Sequence, residues 1–247
     1  MQRPDQDRKR PLTPTLSPND EAVGGEGAKA PKLALFDLDG TLIDSEVGIV
    51  TSTEYALSKL DVAIPPREVL RTWIGPPLRA TFPLAVGDDP EMVERAVALY
   101  RERFTDVGWR EHTVYDGVAE AIETLAARRI ALAVVTSKPD LYAGRIVASL
   151  PFGVRFSAVF AVSANSAHCE KADLVAQALT HFDIAARETA MVGDRHFDMR
   201  GARTNGVRAI GAAWGFGSRE ELAAAGADVI VATPVQLVDA ILAKQAA

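Results

Sequence analysis

Asp37 and Asp39 stand one residue apart at the end of the apolar run Leu33-Ala34-Leu35-Phe36, with Gly40-Thr41 directly behind them. On an extended backbone alternate side chains share a face, so both carboxylates point one way while Leu38 points back into the protein. Such a pair repels itself unless a cation, a proton or hydrogen bonds compensate. It is therefore a candidate metal or acid/base site, with plain turn chemistry as the alternative. Gly40 lets the chain turn sharply straight afterwards. Other polar residues close apolar runs in the same manner. Thr136, Ser137 and Lys138 follow Leu132-Ala133-Val134-Val135, Lys171 opens a helical segment, and Gly193-Asp194-Arg195-His196 with Asp198 follows Met191-Val192. Each has a structural alternative: a helix N-cap for Asp194, a strand terminus for Thr136, a surface helix position for Lys171 and Asp198.

The elements that must position these residues are legible from periodicity. A strand over 32–38 is apolar on both faces, as a central parallel strand covered by helices should be. Helices over 118–129, 139–150, 171–182 and 197–204 alternate with strands over 130–136, 156–162, 189–192 and 208–213. A capping-box sequence at 218–221 opens a short helix before a strand over 228–232, and a last helix runs over 234–244. This alternation predicts an α/β fold, a doubly wound parallel sheet with helices on both faces. Ligands in such sheets sit beyond the carboxyl ends of the strands near a topological switch point, where the polar residues above converge. The stretch 45–111 differs. Helix-like segments over 44–60, 66–73, 78–85 and 90–107 are separated by Pro- and Gly-containing turns with no strand pattern, which predicts an inserted all-helical domain between core segments 31–44 and 112–247. Asp44 reads as the N-cap of its first helix.

Composition limits the function classes. A chain of 247 residues with 48% hydrophobic content can bury a full core. A formal charge of −6 argues against a general nucleic-acid or anionic-membrane binder. A single cysteine, Cys169, excludes an intramolecular disulfide and suits a reducing, cytoplasmic setting. Residues 1–30, rich in Pro, Gly and charge without apolar period, are expected to be a disordered tail rather than a secretory signal. No apolar run is long enough for a transmembrane helix. No dinucleotide or nucleotide phosphate-binding glycine motif follows a strand.

The four motifs in order, Asp37-Leu38-Asp39-Gly40-Thr41, Thr136, Lys171 and Gly193-Asp194 with Asp198, resemble those of the haloacid dehalogenase superfamily of phosphotransferases, and the match covers 32–244. The stretch from Gly193 to Ser218, with a helical insert straight after the first motif, looks most like the branch containing phosphoglycolate phosphatase. The resemblance implies an Mg²⁺-dependent hydrolase of a small phosphomonoester, with phosphoglycolate-like, nucleotide and sugar phosphates as candidates. It casts Asp37 as the nucleophile that becomes phosphorylated and Asp39 as the proton donor and acceptor. Asp37, the main-chain carbonyl of Asp39, and Asp194 would ligate the metal. Thr136 would bind a phosphoryl oxygen, Lys171 would neutralise charge, and Asp198 would reach the metal's water or orient Lys171. Gly40, Ser137, Lys138 and Arg195 border the site, and Arg79 is the candidate cap cation for a substrate anion. His196 is expected to be structural. The partner is then a small phosphorylated metabolite. A phosphomutase of the same superfamily and a non-catalytic phospho-ligand binder are the alternatives. The absence of histidine from 45–111 disfavours the mutase, and the full set Asp37, Asp39, Lys171 and Asp194 exceeds what a binder needs.

Overall fold

The computed structural model describes residues 31–163 and 170–243. The tail assigned to 1–30, Cys169 and the end of the last expected helix lie outside the described residues. Among the described residues eight strands run in chain order: β1 (Leu33–Phe36), β2 (Ile43–Asp44), β3 (Thr113–Val114), β4 (Ala131–Pro139), β5 (Ala158–Val162), β6 (Thr189–Gly193), β7 (Arg208–Ala212) and β8 (Val229–Val231). The helices are α1 (Glu46–Lys59), α2 (Arg67–Arg71), α3 (Leu78–Thr81), α4 (Pro83–Val86), α5 (Pro90–Asp106), α6 (Val118–Ala127), α7 (Asp140–Ser149), α8 (Lys171–Phe182), α9 (His196–Thr204), α10 (Arg219–Ala224) and α11 (Leu237–Leu242).

Six strands form one parallel sheet in the order β5-β4-β1-β6-β7-β8. Strand β1 is central and its side chains feed both faces. Ala34 and Phe36 pack with residues of α6, α7 and α11, whereas Leu33 and Leu35 pack with residues of α8, α9 and α10. Every residue of β1 is fully buried, as expected of a strand with helices on both sides. The chain leaves β1 toward β4 on one side and reaches β6 on the other, so the carboxyl end of β1 is the switch point.

Between β2 and β3 the insert is wholly helical. Its centre is a train of edge-to-face and stacked aromatic rings, Trp73, Phe82, Tyr100 and Phe104. Four local expectations need correction. The helix expected over 78–85 is two short ones, α3 and α4, because Pro83 offers no N–H to continue the first. The last helix begins as a 3₁₀ turn, Pro234–Gln236. β4 does not stop at 136 but continues to Pro139 through an irregularity in its register with β5. Finally, β2 and β3 form a two-stranded antiparallel ladder, Ile43 opposite Val114 and Asp44 opposite Thr113, that ties together both crossings between core and insert. Two residues per strand are too few for a periodicity signal. A fifth expectation also changes: the N-cap of α1 is Ser45 and not Asp44, whose Oδ1 accepts from the Glu46 N–H at 3.0 Å in the turn that precedes the helix.

At the base of the insert α1 lies directly on the 3₁₀ turn Gly108–Arg110, and a Cβ on Gly48 would collide with the Gly108 carbonyl oxygen. Alanine at position 48 gains up to about 1 kcal/mol of helix propensity, but overpacking costs about 1–3 kcal/mol and should win. Gly48→Ala is therefore expected to lower the unfolding free energy in urea; an unchanged or raised midpoint would refute this packing argument.

Candidate active site

The site is built where β1, β4 and β6 end. The Asp37 N–H still donates to Val192 O at 2.9 Å, the last rung to β6, and then the chain turns back. Gly40 makes the turn with φ +82°, in the left-handed region that disfavours side chains, and a Cβ there would strike the Asp194 carboxylate and the Phe216 ring. Glycine is required twice over at this position.

Lys171 begins α8 and is almost fully buried. Its Nζ lies 2.8 Å from Asp37 Oδ1, 2.8 Å from Asp198 Oδ1 and 3.1 Å from the Val135 carbonyl oxygen. Asp198 Oδ2 in turn accepts from the Arg195 N–H at 3.0 Å, which pins the carboxylate one helical turn beyond Asp194. Asp194, fully buried, accepts from Thr41 Oγ1 at 3.3 Å and from the Phe216 N–H at 2.8 Å. Asp39 faces another cation. Lys138 Nζ donates to both of its oxygens, at 2.9 and 2.8 Å. The β4 irregularity between Thr136 and Pro139 explains this, since a bulge re-aims the side chains that follow it. The Thr136 hydroxyl is buried and accepts from the Lys138 N–H at 3.2 Å. Ser137 beside it is half-buried. From the insert, Phe104 covers the Lys138 ammonium, which sits 4.9 Å from the ring centroid.

The electrostatics follow from burial and charge count. Burial pushes the Asp37 carboxyl up to about 6, against the pull of Lys171 and with the help of Asp198. Burial, reinforced by Asp198 and Asp37, also raises Asp194 well above the usual carboxylate range. Lys171 is raised, because attraction to Asp198 and Asp37 overcomes its own desolvation. Asp37, Asp194 and Asp198 each present an oxygen within 4.8 Å of the others'. One ammonium thus serves two of the three buried carboxylates, Asp37 and Asp198, and Asp194 has only the Thr41 hydroxyl and the Phe216 N–H, an arrangement suited to a hard cation with oxygen ligands. The residues fit Mg²⁺ on that ground.

Of the residues expected at the site, the side chains of Arg195 and Arg79 go elsewhere, the first to Glu221 and Ile74. Arg79 lies on α3 with its Nη2 donating to Glu94 Oε2 at 2.9 Å, both side chains more than half exposed. Arg71 of the insert, half exposed and 3.4 Å from Glu46 Oε2, lies 5.6 Å from the Phe216 ring centroid. His196 is structural, its Nδ1 2.6 Å from Glu221 Oε1. Sequence reasoning gave no role to Thr41, Phe216 or the Lys138–Asp39 pair. For Phe216 the only sequence signal was Gly215-Phe216-Gly217-Ser218 beyond β7; its contact with Asp194 spans the fold.

Aspartates at a switch point, a lysine opening the helix opposite and a helical insert define the class of haloacid dehalogenase-fold hydrolases. The chain belongs to the haloacid dehalogenase-like hydrolase family, whose model matches residues 34–212. A 5′-nucleotidase of Pseudomonas aeruginosa is 40% identical over 77% of this chain and 86% of its own length. Tyrosine-protein kinase PtkA of Mycobacterium tuberculosis is 32% identical over 76% of this chain and 64% of its own. The crystal structure of a predicted phosphatase from Clostridium acetobutylicum superposes with a TM-score of 0.81 at 35% identity, covering 87% of this chain and 99% of that one. Phosphoglycolate phosphatases are among the more distant matches.

The Asp37 shift sets a sign. A carboxyl whose folded value, about 6, lies above the ordinary aspartate value binds its proton more tightly when folded, so stability falls as pH rises from the ordinary value to the folded one. In metal-free protein with chelator, wild type is expected to lose melting temperature across that window relative to Asp37→Asn. Parallel curves for the two proteins would contradict the burial argument.

Proposed function

We propose that the protein is an Mg²⁺-dependent phosphatase of small phosphomonoesters that works through a phosphorylated Asp37. The observation that carries the reading is Lys171 fixing one oxygen of Asp37 at 2.8 Å, in a cluster of carboxylates set at the switch point. In the first step an Asp37 oxygen bonds to phosphorus as the ester P–O bond breaks, and Asp39 gives a proton to the departing oxygen. In the second, Asp39 takes a proton from a water that attacks phosphorus, which releases inorganic phosphate and restores Asp37. To carry that proton one Asp39 oxygen must give up its contact with Lys138. Thr136 is positioned to donate its hydroxyl proton to a phosphoryl oxygen, while Lys171 offsets the charge of Asp37. Asp37, Asp194 and the Asp39 main-chain carbonyl would hold the Mg²⁺, with Asp198 behind them. Bound there, Mg²⁺ screens the repulsion between Asp37 and a phosphate dianion.

Substrate choice belongs to the insert. Phe104 covers Lys138, which holds Asp39, so the end of α5 is the part of the insert nearest the proton carrier, and a compact organic phosphate of the kind the nucleotidase and phosphoglycolate phosphatase relatives are named for is the proposed substrate. No helix of the described residues is long and apolar enough to cross a membrane, and a cytoplasmic metabolite pool is the proposed setting. Hydrolysis is favoured over mutase chemistry because 45–111 contains no histidine to act as an extra acid/base group.

An aryl phosphate assay tests the reading. Turnover should require Mg²⁺ and fall by more than about 10⁴-fold in Asp37→Asn, the scale of losing a catalytic nucleophile. Thr136→Ala should lose about 10²–10³-fold in kcat, as when one preorganised donor is removed. Unchanged turnover in Asp37→Asn would refute the mechanism. A metabolite panel spanning nucleoside monophosphates, phosphoglycolate and sugar phosphates identifies the substrate, and a panel without any turnover would favour the binder.

A further inference from the structure

Arg195 follows Asp194 directly, yet its side chain leaves the strand end and reaches the insert. Nε donates to Glu221 Oε1 at 2.9 Å, and Nη1 donates to the main-chain carbonyl of Ile74. The side chain is only 13% exposed. It lies in a slot between two glycines, one from each body. A Cβ on Gly75 of the insert would sit 3.2 Å from Nη1, and a Cβ on Gly217 of the core 3.2 Å from Cδ. Gly75 also has φ +108°, so glycine there permits both the backbone and the close approach.

Glu221 is itself well held. Its Oε1 also accepts from the His196 N–H at 2.9 Å, and its own N–H donates to Ser218 Oγ at 3.1 Å. The Arg195 fork is therefore aimed before the insert arrives, so little ordering entropy opposes its bond to Ile74. At its other end, the Arg195 main-chain N–H holds Asp198, which holds Lys171, which holds Asp37.

On the same side of the site Arg71 of the insert lies 5.6 Å from the Phe216 ring centroid; a second group of contacts between insert and core is of another kind. Thr105 Oγ1 meets Tyr142 Oη at 2.7 Å, Phe104 packs edge-on against Tyr142, and Arg145 stacks 4.2 Å from the Trp109 ring centroid. All lie at the end of α5 or just beyond it, beside the crossing at β3. Groups near a pivot move little when a domain swings, so these can persist while a contact farther along the insert breaks. The Ile74 carbonyl is such a contact, on the β6 side of the site.

We propose that Arg195 is a positioning residue: a latch that holds the 72–77 loop of the insert against the strand-end site and joins that closed position to the main chain carrying Asp198. The latch stands on the contacts alone; its effect on turnover rests on the phosphatase reading. The acceptor is a main-chain carbonyl, so the device is removed from the core side.

Hydrogen exchange on the full chain, comparing wild type with Arg195→Ala, Arg195→Lys and Glu221→Ala, provides the test. In Arg195→Ala the amides of 72–75 should exchange about tenfold faster, the equivalent of about 1.4 kcal/mol, while 131–136 and 189–193 keep the wild-type rate. Glu221→Ala, made in α10 away from the insert, should quicken 72–75 in the same direction because it frees Arg195. Arg195→Lys retains the charge without the fork and should also exceed wild type. With Mg²⁺ and p-nitrophenyl phosphate, kcat/KM should fall in parallel in the Ala variants. Unchanged exchange at 72–75 in Arg195→Ala overturns the latch, as does a rise shared equally by all three segments, which would mean general destabilisation. Faster exchange with unaltered turnover overturns the positioning role. A wild type inert toward phosphate esters would count against the phosphatase reading, and the exchange rates would still decide the latch.

Discussion

The Lys171 ammonium, buried between Asp37 and Asp198, is the interaction on which the rest of the site depends. Without it the switch point would hold Asp37, Asp194 and Asp198 in a volume too small and too dry for their repulsion. Removing one partner of a buried pair costs about 3–5 kcal/mol, because the other charge stays behind without compensation. One lysine thus lets a cluster of carboxylates exist in folded protein before any cation binds. It also fixes which oxygen of Asp37 is restrained and, through Asp198 and the Arg195 N–H, joins α8 to the turn after β6.

The site has a second cation with a separate task. Lys138 engages both oxygens of Asp39 beneath the Phe104 ring. The two aspartates that leave β1 on the same face are thereby given different environments: Asp37 among carboxylates with a shared lysine, Asp39 against a private lysine and an aromatic wall. Neighbouring carboxyls placed in unlike surroundings are how one short stretch of chain supplies two chemical roles. In the function proposed above those roles are attack and proton transfer.

The insert meets the core on both sides of β1. Its aromatic train ends at Phe104 against Tyr142 near the paired crossings, and its 72–77 loop rests on Arg195. Packing near the crossings and a polar contact farther out describe a body that can swing without detaching. The two-residue ladder between β2 and β3 ties the crossings together.

Much of this was legible in the amino-acid order alone. Period-two alternation placed Asp37 and Asp39 on one face; double-sided apolar runs marked the buried parallel strands; and the first residue of a helix, Lys171, was readable from the polar break before Leu174 and Val175. These are local properties, written in spacing along the chain. What only the tertiary structure decided are contacts between residues far apart in sequence. Lys138 turned to Asp39 because β4 is irregular where it pairs with β5, and Phe216 found Asp194 because the loop after β7 folds back over Gly40. Likewise, Arg79 and Arg71 are both surface arginines of a helical insert by every local measure. The fold gave the first to Glu94 and set the second between Glu46 and the Phe216 ring. A side chain's residue type sets which bonds it can make, but its partner depends on which elements packing places beside it, and that is a property of the whole core.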